Sequence, residues 1–191
     1  MNTLPEDRMP EAEVSLRLAF FLIEKGFASG NVRVSIDGAQ VQSADTVHFP
    51  LVEFLGSNGW ANEGLLRSFQ GKYRNSQFSQ EIEIDSIPGN GDVVSQLLTG
   101  GKLRVECKKG PLVRSVSSQE YSLLREALGQ LLTIKEVNET DILAVAVPSS
   151  PKFEELAARW RSAPLIERFR VRILTVSRNN DVTGLHLNPS T

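Results

Sequence analysis

The run Leu103-Arg104-Val105-Glu106-Cys107-Lys108 alternates apolar and polar side chains. That is the period of a strand, whose successive side chains point to opposite faces. Leu103, Val105 and Cys107 are therefore expected in the core. Arg104, Glu106 and Lys108 share the other face, and the heads of Glu106 and Lys108 occupy one small volume. Upstream, Asp92 opens a further strand, Asp92-Val93-Val94, after the turn Pro88-Gly89-Asn90-Gly91. Adjacent antiparallel strands with a short connection can bring Asp92 beside Glu106. Two carboxylates at close quarters repel unless a divalent cation sits between them. A lysine beside that cation can orient a water or neutralise charge developing on a phosphate. A second reading of the same residues stays open: an exposed sheet face, with Glu106 and Lys108 as an ion pair and Asp92 capping a turn.

Asp92, then thirteen residues, then Glu106-Cys107-Lys108 resembles the D-x(n)-E-x-K signature of the PD-(D/E)XK nuclease superfamily. That superfamily includes type II restriction enzymes, archaeal Holliday-junction resolvases and RecB-type exonuclease domains. Gly91-Asp92-Val93-Val94 resembles its aspartate strand, and Leu103 to Lys108 its E-x-K strand. The helix from Ser118 and the strand from Asp141 follow in the superfamily's order. Glu13, on the first helix, matches a glutamate that many members place near the metal; an ion pair with Arg17, one turn on, is the competing reading. The resemblance covers roughly residues 11–36 and 78–147. RecB-type members carry Gln-x-x-x-Tyr on the helix after the lysine. Here Gln130 is followed four residues on by Ile134, so the tyrosine is missing.

The resemblance implies a restriction-endonuclease-like fold, a mixed β-sheet flanked by helices, and a metal-dependent nuclease with DNA as the favoured substrate. It implies that Asp92, Glu106 and the backbone carbonyl of Cys107 hold Mg²⁺, for which Mn²⁺ can substitute. Lys108 is then a catalytic residue, and Glu13 assists. The alternative function is a non-catalytic module of the same fold that binds nucleic acid or protein, or a subunit of a larger defence or repair assembly. A homodimer is compatible with either.

The elements that must position these residues are legible in outline. Pro10 opens a helical pattern to about Lys25, with Val14, Leu18 and Phe21 on one stripe. Val32, Val34 and Ile36 alternate as a strand. Asp37-Gly38 reads as a hairpin turn into a short strand through Val41. Residues 38–77 read as an insertion, with short helices expected over Phe49 to Leu55 and Glu63 to Phe69. Ile82 and Ile84 mark a strand. Ser117, three residues before Glu120, forms a capping-box pattern for a helix to about Glu136. Ile142 to Val147 is an apolar run expected of a strand covered on both faces. A helix over Lys152 to Arg161 and strands over Phe169 to Val176 and Val182 to Leu187 complete a single domain.

Composition narrows the function classes. The 191 residues carry a net charge of −2, so nucleic-acid binding must come from local charge. Lys102, Arg104, Lys108, Lys109 and Arg114 oppose Glu106 alone. Seven basic residues between Lys152 and Arg178 oppose three acidic ones. Either block is a candidate phosphate-binding face or a solvated surface. One cysteine, Cys107, excludes a disulfide scaffold and a cysteine-based zinc site, and a reducing cytoplasm is expected. Met1 to Arg8 lacks a charged-then-apolar signal pattern, and no apolar run reaches the ~20 residues of a membrane span. His48, His186, Trp60 and Trp160 are too isolated to define a site and are expected to be structural.

Overall fold

A computed structural model describes residues 4–44, 46–62, 68–113 and 119–187. The chain begins with β1 (Arg8–Met9), α1 (Glu11–Glu24) and β2 (Ala28–Ser35). A compact excursion follows: α2 (Gly38–Val41), β3 (Gln42–Ser43), β4 (Thr46–Val47) and α3 (Leu51–Ser57). Then come β5 (Gly71–Tyr73), β6 (Ile82–Asp85), β7 (Val93–Leu97), β8 (Lys102–Cys107) and β9 (Gly110–Pro111). The last part contains α4 (Gln119–Leu131), β10 (Ile142–Pro148), α5 (Pro151–Arg161), α6 (Pro164–Arg168), β11 (Arg172–Val176) and β12 (Val182–Thr183).

Eight strands form one sheet in the order β12-β11-β10-β8-β7-β2-β6-β5. Strand β10 runs parallel to β8 and β11, and β2 runs parallel to β6; the other pairs are antiparallel. The protein is thus a mixed α/β structure with a large mixed sheet flanked by helices. Helix α1 covers one face over Val93, Val105, Ala144 and Leu174. Helices α4 and α5 cover part of the other over Val145, Val147 and Ile173. Strand β10 lies under both layers, which is why Ile142 to Val147 lacks a polar face.

Helix α1 is buried continuously from Ala12 to Ile23. A helix apolar on nearly every side needs cover on more than one side, and the excursion after β2 supplies it. Phe54 and Trp60 stack on Phe20 at 5.9 and 5.8 Å between centroids, and Phe49, Leu51 and Leu55 join the same core. Strand β5 extends the main sheet beside β6. The described residues of 38–77 are therefore integral to the core. Of the helix expected over Glu63 to Phe69, residues 63–67 lie outside the described residues, as does the capping residue Ser117.

Three local expectations are corrected. Asp37-Gly38 does not make a hairpin: the Asp37 carboxylate accepts the Ala39 N–H at 3.0 Å and caps α2. The same residue types serve turns and helix N-caps, and here the cap prevails. Helix α4 stops at Leu131, short of Glu136. The strand expected from Phe169 begins at Arg172, because Pro164 starts the five-residue helix α6 and Arg170 closes it in a left-handed conformation at φ 56°. Among the described residues no helix is long and apolar enough to cross a membrane.

Candidate active site

The β7–β8 hairpin sets the site. Val93 pairs with Val105, and each further step keeps the register through Gln96 and Lys102. One step in the other direction puts Asp92 opposite Glu106, at the mouth of the ladder. Leu103, Val105 and Cys107 are fully buried on the α1 side, as their alternation requires. The opposite face is not bare. Arg104 is 4% exposed and Lys108 6%, because α4 lies over β8. The exposed-face reading therefore fails on burial. Arg104 pairs at 3.0 Å with Asp141, itself fixed by the Lys102 and Asn138 N–H groups.

Asp92 is positioned by backbone on both sides. Its N–H donates to the Val105 carbonyl at 2.8 Å, and its Oδ2 accepts the Cys107 N–H at 2.7 Å. Gly91 precedes it at φ 95°, where a Cβ would come within 3.1 Å of the Val105 carbonyl oxygen. Only glycine makes that close approach without displacing β8. The Asp92 and Glu106 carboxyls act on each other directly. Burial raises the Asp92 carboxyl to about 6, against the pull of the Cys107 N–H and the Lys108 charge. Burial raises Glu106 to about 7, and the charge on Asp92 adds to it.

Lys108 completes the group. Burial disfavours its charge, but Glu11, Asp92 and Glu126 outweigh that and raise its pKa. Its amine stands 3.5 Å from Glu11 Oε2 on α1 and 3.4 Å from Glu126 Oε1 on α4. Glu11 is held in turn by the Gln40 amide, which donates to Oε1 at 2.9 Å. An ammonium in this setting stays protonated at neutral pH, so it serves as a fixed positive charge and not as a base. Burial also pushes the Cys107 thiol well up, which leaves it an inert core group.

Glu13 does not belong to this group. It is fully buried and pairs with Arg17 at 2.8 Å and Arg178 at 3.1 Å. Arg17 also donates to Asn180 Oδ1 and the Arg178 carbonyl, and Arg178 to the carbonyls of Pro5 and Arg8. The pair clamps the N-terminus and the β11–β12 turn onto α1. The first-helix carboxylate at the site is Glu11. Two residues apart on a helix means about 200° of rotation, so the two glutamates necessarily point apart. The sequence shows both, and helix docking selects between them. Gln40 and Glu126 carry no sequence signal at all.

Among the described residues no three His, Cys, Asp or Glu side chains are gathered tightly enough to hold a metal ion by themselves. The donors at hand are the paired carboxyls of Asp92 and Glu106 and the adjoining Cys107 carbonyl. Two hard oxygen side chains suit Mg²⁺ in kind, since that ion keeps several waters and takes one or two carboxylates. Burial and mutual proximity disfavour two negative charges here, a cost that a divalent cation between them would offset.

The remaining sequence candidates lie elsewhere. Trp60 is core, and Trp160 meets Tyr121 edge-on at 5.7 Å. His48 bonds the Ser43 hydroxyl. Arg170 and Arg172 stand at the start of β11, separated from β8 by β10. Comparison of the chain with protein-family models, curated proteins and solved structures gives no match.

Proposed function

We propose that the chain is a metal-dependent nuclease of the PD-(D/E)XK superfamily with a restriction-endonuclease-like fold, hydrolysing phosphodiester bonds in nucleic acid, with DNA the favoured substrate. The observation that carries this reading is the opposition of Asp92 and Glu106 across β7–β8, with the Lys108 charge acting on both carboxyls. The succession of α1, the β2–β7–β8 antiparallel strands, α4 and the parallel strand β10 supports it, because it is the order that the sequence resemblance implies.

In this reading Asp92, Glu106 and the Cys107 carbonyl hold Mg²⁺ or Mn²⁺. When bound, the ion polarises a phosphate oxygen and acidifies a water. The chain's own residues do the rest. Asp92 is pre-set by the Cys107 N–H, so one carboxylate needs little reorganisation. Glu106 is the less buried of the two and the side chain that adjusts. Lys108 places a permanent positive charge where charge builds on the phosphate. Glu11 and Glu126 hold that amine from α1 and α4.

Incubation with linear, circular, branched and single-stranded substrates, in Mg²⁺, Mn²⁺ or EDTA, tests the proposal. Cleavage of at least one substrate in metal and none in EDTA is expected. Absence of cleavage throughout, with no metal-induced rise in melting temperature, favours a non-catalytic binding module of the same architecture.

A further inference from the structure

At the far edge of the sheet lies a cavity of about 310 Å³ whose rim is cationic. Arg161, Arg170, Arg172 and His186 line it, and Glu167 is its one acidic group. Its floor is the apolar pair Val171 and Ile173. Helices α5 and α6 bound it on one side, and the chain following β12 on the other.

The arginines are arranged in a way that leaves their charge unspent. The Arg161 side chain is set by neutral acceptors: Nε donates to the Ile173 carbonyl at 2.9 Å and Nη2 to the Thr183 carbonyl at 3.4 Å. The charge of Glu154 reaches it, but that carboxylate accepts the Ser149 hydroxyl at 2.9 Å instead of pairing. Gly184 makes room for the guanidinium. A Cβ there would fall 2.8 Å from Arg161 Nε and 2.3 Å from the Ile173 carbonyl oxygen. Arg170 occupies the left-handed closing position of α6, with φ 56°, its N–H on Glu167 and the next N–H on Ile166. Glycine is the favoured residue at such a position. An arginine held there at a conformational cost points to a use for its side chain. Neither Arg170 nor Arg172 forms an ion pair with a described residue. Phe169, beside Arg170, is 65% exposed, an aromatic face suited to a base.

We infer that this cavity is a phosphate-binding site for a nucleic-acid strand, separate from the Asp92–Glu106–Lys108 group. Three guanidiniums against one carboxylate, over an apolar floor, match a phosphate carrying a neighbouring sugar or base. The choice of nucleic acid as the ligand rests on the nuclease reading; the anion site does not. In the sheet, Glu106 is level with Val145 and Val145 with Ile173. Two strand spacings, about 10 Å of backbone, separate the floor of this site from the carboxylates, and α4 and α5 cover the sheet between them, so a strand that reaches both passes around those helices and is held here at a phosphate distant from the bond to be cut.

The test is fluorescence anisotropy of a labelled DNA oligonucleotide in EDTA, where no cleavage occurs, as a function of salt. The double substitution Arg170→Ala/Arg172→Ala is compared with wild type and with Lys25→Ala, an exposed control at the C-terminal end of α1. Melting temperatures establish that the exposed substitutions leave the fold intact. The inference predicts affinity weakened by about tenfold or more for the double variant and unchanged for the control. The slope of log K against log salt should fall by about 0.7 per lost contact on a single strand. Inorganic pyrophosphate should compete with the oligonucleotide for wild type. Equal affinity and equal slope for wild type and double variant overturn the inference, even if the wild type cleaves DNA; so does a wild type that binds no oligonucleotide. Weakened binding in a protein that never cleaves leaves this site standing and removes the hydrolytic reading alone.

Discussion

Asp92 is bonded to the backbone of Cys107, the residue that separates Glu106 from Lys108: Oδ2 accepts that N–H at 2.7 Å. The two carboxylates of the site are thus unequal. Asp92→Ala leaves a buried N–H without its acceptor, at a cost of about 1–3 kcal/mol. Glu106→Gln removes a charge from a crowded pair and strands no backbone group. Without metal at pH 5, below both raised pKa values, thermal melting should show Asp92→Ala clearly destabilised and Glu106→Gln equal to wild type or above it. Equal losses for both would mean that Glu106 has a structural partner which this account denies it.

The same pair makes stability depend on pH. Burial raises Asp92 to about 6 and Glu106 to about 7. Raised carboxyl pKa values stabilise the folded protein fully below the unfolded values near ~4, and that contribution disappears as pH rises through 6 and 7. The metal-free melting temperature should therefore decline between about pH 4 and 7. The effect is on the order of 1–3 kcal/mol after allowance for solvent screening of Glu106. Glu81, Glu83, Asp85 and Asp141 are shifted down, and their contribution is lost only at more acidic pH. A melting series on wild type and Asp92→Asn/Glu106→Gln checks this: the double variant should be flatter in that window. Parallel curves would assign the slope to other groups.

Glu11 and Glu13 should separate cleanly by substitution. Glu13→Ala leaves Arg17 and Arg178 without their shared carboxylate, and breaking a buried pair from one side costs about 3–5 kcal/mol. Glu11→Gln releases one anchor of Lys108 and leaves the core untouched. Melting should fall steeply for Glu13→Ala and little for Glu11→Gln. Cleavage per folded molecule should fall for Glu11→Gln with metal affinity largely kept. The reverse pattern would return Glu13 to the site.

What could be read from the residues, and what could not, follows from the periods involved. Asp92, Glu106 and Lys108 were legible because a strand has period two and the hairpin between them is short. The first-helix glutamate was not, because Glu11 and Glu13 lie on opposite sides of α1 and only its docking tells them apart. Residues 38–77 read as an addition because no single period runs through them. Their role, covering the outer side of a helix buried on nearly every side, is visible only once Phe20, Phe54 and Trp60 are stacked. The arginines around the edge cavity register only as a charge block, since the sequence pattern marks no element from Pro164 to Arg168, where α6 forms, and starts the strand at Phe169.

Lys108 separates catalysis from ion binding. Its amine carries charge toward the phosphate, and in this account it ligates nothing. Lys108→Ala should reduce cleavage by at least about a hundredfold, the scale of losing one transition-state charge contact. The Mn²⁺-induced rise in melting temperature should persist. Loss of that rise along with activity would mean that Lys108 organises the carboxylates and has no role of its own.

Cleavage of the substrate panel in Mn²⁺, with wild type and Asp92→Asn side by side at equal folded concentration, decides whether Asp92 and Glu106 form a metal-dependent phosphodiesterase site. Asp92→Asn keeps an acceptor for the Cys107 N–H, so a loss of activity cannot be charged to an orphaned backbone group. Metal-dependent cleavage by wild type, abolished by EDTA, and none by Asp92→Asn are expected. Cleavage by Asp92→Asn at the wild-type rate, or cleavage by wild type undiminished in EDTA, would contradict that assignment.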